Sequence, residues 1–157
     1  MSFSFAWTEL YDQGGLLLAF RRTGTGSSDA PPEKWIKTGV EFYNGAPMLS
    51  TVACDRWADW SVTPLLPSAG AGAGAGAETW TTIAVEKAVD HHGTSLWVYH
   101  VLENGEKVPL REVCWAYGDG DAGTWELEVL GMAARPEQKA ESSLEVALKD
   151  WEVKWSQ

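Results

Sequence analysis

The feature that most limits what this chain can fold into is its rhythm of short β-type runs separated by turn residues. Residues 35–43 show it most clearly: Ile36, Thr38, Val40 and Phe42 alternate with Lys37, Glu41 and Tyr43. Successive side chains on a strand point to opposite faces, so this spacing predicts a strand with one buried face. Asn44-Gly45 follows directly and is the pair a tight hairpin turn favours. Comparable runs occupy 2–7, 16–22, 48–54, 58–63, 80–89, 94–102, 108–117, 124–131 and 144–155. In the last, the alternation of Leu144, Val146 and Leu148 changes phase to Trp151, Val153 and Trp155, which predicts a β-bulge near Lys149-Asp150. Gly14-Gly15 reads as the turn between the first two runs. Only 136–143 suggests a helical turn. About ten strands with almost no helix mean a sandwich or a barrel.

Length and charge narrow the class. A chain of 157 residues is expected to form one β-sandwich domain over 1–157 and to need no disulfide or metal to fold. Lys and Arg total 12 against 22 Asp and Glu, a net charge of −10. That excludes nucleic acid and anionic membrane as partners, since both are bound through clustered cations. Ten Trp argue against disorder. Cys54 and Cys114 are too few for a disulfide framework and are expected as two buried strand thiols. Residues 1–7 lack a cationic, apolar leader, and the apolar run 16–20 is too short to span a bilayer, so a cytoplasmic location is expected.

Residues 64–79 interrupt the strands with Ala-Gly repeated four times, from Ala69 to Gly76. This composition predicts a flexible surface loop. Its deletion should leave the melting temperature nearly unchanged, and a large drop in a thermal melt would show that it packs.

Candidate chemistry is sparse. Glu126 and Glu128 share one strand face, and glycosidases place two carboxyls about 5–9 Å apart. The usual triplet of alternating acids is missing, so a solvated face is the better reading. Asp119-Gly-Asp121 resembles the start of a calcium loop without its later ligands. Asp90-His91-His92 reads as an exposed turn rather than a metal site, because adjacent side chains on extended backbone diverge. There is no Gly-x-Ser-x-Gly elbow, and Gly24-x-Gly26 lacks the βαβ context of a dinucleotide loop. No catalytic residue, metal ligand or cofactor site is assigned. Trp57, Trp60, Trp97 and Trp115 lie among Asp55, Asp59, His100 and Arg111, a mixture of ring and polar group suited to a sugar or a peptide.

Several segments carry a family resemblance. They are Tyr11-Asp-Gln-Gly-Gly15, Lys34-Trp-Ile-Lys-Thr-Gly-Val-Glu-Phe-Tyr43, Leu49-Ser-Thr-Val52, Asp59-Trp-Ser-Val62, Pro109-Leu-Arg-Glu-Val-Cys-Trp-Ala-Tyr117 and the closing 144–155. Together they resemble the concanavalin A-like family named domain of unknown function 1349, which includes the fungal regulation-of-enolase protein. The resemblance implies an all-β jelly-roll sandwich of two antiparallel sheets, one concave, in an intracellular protein with no established catalysis. It brings no catalytic set. Projected onto this sequence, it implies a ligand-binding patch of Glu41, Asp59, Trp60, Arg111 and Trp115 on the concave face. Relatives carry an upstream tract that supplies a strand or two, so a sheet edge open to pairing is expected here. The function implied is a non-enzymatic cytosolic binding or regulatory protein acting on a carbohydrate ligand or on a metabolic enzyme such as enolase. Two rivals stand beside it: a glucanase-like hydrolase or lyase using groove carboxylates, and an interaction module whose acidic surface meets a basic partner.

Overall fold

A computed structural model describes residues 1–24, 31–65, 79–118 and 123–155. In chain order the strands are β1 (Ser2–Phe5), β2 (Gln13–Arg22), β3 (Lys34–Tyr43), β4 (Ala46–Cys54), β5 (Ala58–Pro64), β6 (Thr81–Asp90), β7 (Gly93–Val101), β8 (Lys107–Val113), β9 (Trp125–Ala134) and β10 (Val146–Lys149). A single 3-10 turn, Cys114–Tyr117, follows β8. One antiparallel sheet has the order β10-β1-β6-β7-β8, the other β5-β4-β3-β2-β9. The two pack face to face as a β-sandwich, as the pattern of short strands predicts. Among the described residues no helix is long and apolar enough to cross a membrane.

The core is built from alternate residues of the central strands. Ile36 and Val40 of β3, Leu16, Leu18 and Phe20 of β2, and Leu49 of β4 meet Phe3, Ile83 and Val98 of the opposite sheet. The alternation expected of β3 holds, with Thr38 and Val40 turned inward and nearly inaccessible. Asn44 (φ 52°) and Gly45 (φ 75°) make the tight turn into β4, both in the left-handed region that such a hairpin requires.

Four expectations are corrected. Gly14-Gly15 is not a turn: both residues lie inside β2, where Gly15 faces Gly39 of β3 across the central pair of the sheet. There the absence of side chains serves close backbone approach rather than reversal. The last run ends as a strand at Lys149, and Asp150 (φ 51°) turns the chain out of the ladder, so no bulged strand continues to 155. The run expected over 108–117 ends at Val113, where the 3-10 turn begins. The cysteines are unpaired, but Cys54 is half-buried at the end of β4 and Cys114 is exposed. The Ala-Gly tract and the Asp119–Asp121 stretch lie outside the described residues.

Candidate functional site

The face of the β5-β4-β3-β2-β9 sheet turned away from the core is where period-two geometry sends the other half of each strand. Register places Lys37, Gly39, Glu41 and Tyr43 of β3 on it, beside Ser50 of β4, Trp60 of β5 and Gln13 of β2. Glu41, Ser50 and Gln13 are buried although they lie on the face turned away from the core. They are screened by one another and by their neighbours, and they hold each other through hydrogen bonds. Ser50 Oγ donates to Glu41 Oε2 at 2.7 Å, and Trp60 Nε1 donates to Ser50 Oγ at 3.1 Å. Lys37 Nζ donates to Gln13 Oε1 and stands 3.9 Å from Glu41 Oε2, while Gln13 Nε2 donates to the Tyr11 carbonyl at 3.1 Å.

An aromatic row borders this cluster. Tyr11 and Tyr43 stack at 5.8 Å, and Tyr43 meets Trp60 edge-on at 5.1 Å. Trp60 is 44% exposed, so its ring is fixed at the edge and by its indole N–H but open on a face. The hollow over Gly39, lined by Gln13, Lys37, Glu41, Ser50 and Met132, has no room for a water molecule. The surface is therefore a platform with polar groups set beside aromatic rings, not a cleft.

That geometry bears on hydrolysis. Glu41 and Glu128 share the face, but Glu41 pairs with Gln13 and Glu128 with Ala19, six residues along β2. At about 3.3 Å per residue the two carboxyls are roughly 20 Å apart, well beyond the glycosidase spacing. Glu128 is instead engaged by Arg21 at 2.9 Å. Among the described residues no group of three or more His, Cys, Asp or Glu side chains could hold a metal ion. His91 and His92 do sit in an exposed hairpin turn, which Asp90 Oδ1 closes by accepting from the His92 and Gly93 amides. Their rings lie 3.8 Å apart rather than diverging, because the backbone turns there.

The five projected residues do not form one patch. Glu41 and Trp60 are on the platform. Asp59, next to Trp60 on β5, points to the opposite side by strand alternation and pairs with Arg111 of β8, which ties the edges of the two sheets together. Trp115 lies in the 3-10 turn and packs edge-on against Phe20 at 5.6 Å. Asp59, Arg111 and Trp115 line a separate edge hollow of about 360 Å³ with Asp55, Arg56 and the highly exposed Trp57.

A family profile described as protein of unknown function (DUF1349) matches residues 1–155. The chain belongs to this family. An uncharacterized protein of Emericella nidulans is 40% identical over 121 residues, 77% of this chain and 51% of the relative, so the chain spans about half the length of the curated relative it matches. A functionally unknown protein from Saccharomyces cerevisiae has a similar fold, with a TM-score of 0.57 at 23% identity, over 94% of this chain and 68% of that one. In this DUF1349 chain, sequence reasoning missed Lys37, Ser50, Gln13, Tyr11 and Tyr43 as platform residues. The signal for Lys37 and Tyr43 was present, since both alternate with the core residues of β3 in phase with Glu41. Gln13 was hidden by the reading of Gly14-Gly15 as a turn, which left it outside any strand.

Proposed function

We propose that this DUF1349 chain is a non-enzymatic, cytoplasmic binding protein whose β5-β4-β3-β2-β9 platform takes a carbohydrate. The observation that carries this is the pinning of Trp60: an exposed ring, held by Ser50 and Tyr43, stands beside Glu41, Lys37 and Gln13. A ring fixed before binding loses little entropy when a sugar's C–H face stacks on it, and flanking carboxylate, ammonium and amide groups suit hydroxyls. Of the Glu126–Glu128 pair on β9, Glu128 is engaged by Arg21 at 2.9 Å, which disfavours the hydrolase alternative.

A glycan array followed by titration of the strongest hit tests this. Trp60→Ala should weaken binding by about tenfold or more, whereas Trp115→Ala should leave it unchanged. A loss from Trp115→Ala with Trp60→Ala unaffected would move the site to the edge hollow. Release of reducing ends from the bound glycan would replace binding with hydrolysis. A cytosolic pull-down run alongside covers the other partner implied by the resemblance, a metabolic enzyme such as enolase: capture of one with no glycan hit would sink the carbohydrate reading.

A further inference from the structure

Tyr11 stands at a backbone position that two motifs reserve for glycine. The Asp12 amide donates to the Glu9 carbonyl at 3.0 Å, which closes a turn with Tyr11 at its third place. The φ of 66° there is the positive value that glycine supplies in such a turn at no steric cost. The same residue opens a bulge where the chain enters β2. The Phe42 carbonyl of β3 accepts from the Tyr11 amide, and the Phe42 amide donates to the Asp12 carbonyl, both at 2.8 Å, so two residues oppose one. In a bulge of this kind the first residue is left-handed and normally glycine. Strained backbone persists only where its surroundings fix it. Here Asp12 fixes it, its carboxylate holding the Thr8 and Glu9 amides and the Arg135 guanidinium. An aromatic residue has no conformational reason to occupy this place, so what it contributes is its ring. That ring stacks on Tyr43 at 5.8 Å, yet Tyr11 stays 37% exposed. Half-buried Tyr43 is engaged by both neighbours, Tyr11 in parallel and Trp60 edge-on. The open rings are therefore the two ends of the row.

We infer, on the carbohydrate reading of this face, that Tyr11 is a second stacking position and that the ligand is an unbranched neutral glycan long enough to reach from Trp60 to Tyr11. Tyr11 meets Tyr43 and not Trp60, so a single pyranose stacked on Trp60 leaves Tyr11 idle, whereas a chain lying along the row sets one unit at each end. Rings in single file suit a linear chain better than a branch point. Neutrality follows from the groups alongside. Lys37 Nζ and Glu41 Oε2 stand 3.9 Å apart and offset each other's charge, so neither selects an ionic sugar. The polar cluster touches both ends of the row. Ser50 accepts from the Trp60 indole, and Gln13 donates to the Tyr11 carbonyl while accepting from Lys37. Hydroxyl-binding groups thus accompany the rings from one stacking position to the other.

The probes are the cello-, laminari-, malto-, manno- and N-acetylchito-oligosaccharides, each from the disaccharide to the hexasaccharide, titrated by calorimetry into the native chain and its variants. In the series that binds, the tetrasaccharide should bind about tenfold more tightly than the disaccharide. Tyr11→Gly should remove that gain and leave the disaccharide unchanged, while Tyr11→Phe should retain it. Trp60→Ala should weaken both lengths. Glycine is the residue this backbone prefers, so Tyr11→Gly should fold and melt within a few degrees of the native chain. Tyr11→Asn, which also tolerates positive φ, is the second variant and should bind as Tyr11→Gly does. Equal affinity for the two lengths in the native chain overturns the inference and leaves the carbohydrate reading standing. So does a folded Tyr11→Gly or Tyr11→Asn that binds the tetrasaccharide as the native chain does. No binding by any of these neutral series also overturns it, and a hit elsewhere on the glycan array would then still keep the carbohydrate reading.

Discussion

Replacing Gly39 by alanine should cost this protein on the order of 10 °C in melting temperature, or its fold altogether. Gly39 and Gly15 face each other across β2 and β3, the strands at the heart of the five-stranded platform sheet. A Cβ on Gly39 would lie 2.1 Å from the Gly14 carbonyl oxygen and 2.8 Å from the Gly15 Cα. Both are main-chain atoms, fixed by the ladder on either side, so neither can rotate away. The reciprocal substitution is no easier, since a Cβ on Gly15 would meet the Thr38 carbonyl oxygen at 2.2 Å. Gly131→Ala is the control. Its Cβ would meet Leu148 Cδ1 at 2.5 Å, but Leu148 is 44% exposed and can swing aside. A thermal melt followed by circular dichroism should therefore show a change of at most a few degrees for Gly131→Ala. If Gly39→Ala melted within about 2 °C of the native chain, the β2–β3 pair would have to be free to shift, and the platform residues Gln13, Lys37 and Glu41 could not be held as described.

The same glycine pair shows where sequence reading works and where it stops. Alternation along β3 located the core face through Ile36, Thr38 and Val40 and put Lys37, Glu41 and Tyr43 together on the other, because period two is a local property. Asn44-Gly45 was equally local, since the turn needs two positive φ angles that those residues tolerate. Gly14-Gly15 failed because glycine signals reversal and close approach in the same letter, and only a partner strand distinguishes them. Residues 151–155 have a strand's alternation but form no strand: Asp150 (φ 51°) turns them out of the ladder, and a segment without a partner strand gains little from propensity. The projected patch split for two reasons. Asp59 and Trp60 are consecutive on a strand, so they had to diverge. Arg111 reaches Asp59 from the other sheet, 52 residues on, and nothing near either residue announces the meeting.

Another such meeting, between Asp12 and Arg135 across 123 residues, supplies the other large effect. Asp12 is wholly buried and receives Arg135 on both oxygens, Nε to Oδ1 and Nη2 to Oδ2, each at 2.7 Å. Its Oδ2 also accepts from the Thr8 and Glu9 amides at 2.9 and 3.0 Å. Arg135 reaches on to the Ser142 carbonyl and hydroxyl, so the pair ties the turn before β2 to the segment that leads into β10. Burial alone would push the Asp12 carboxyl up, but the Arg135 hydrogen bonds, the two amides and the guanidinium charge together hold it below its ordinary value of 3.8. A carboxyl lowered in the folded state stabilises fully above its unfolded value, and the contribution is lost as the pH falls through the native one. The native chain should therefore lose stability below about pH 4. Arg135→Ala leaves a buried carboxylate with two amides and no countercharge, and should lower the melting temperature at pH 7 by on the order of 10 °C. Protonation relieves that variant instead of harming it, so its deficit against the native chain should shrink steadily from pH 7 to about pH 3. Melts at several pH values decide the matter: a deficit that stayed constant with pH would mean that Arg135 contributes packing through its stem, not the charge that keeps Asp12 ionised.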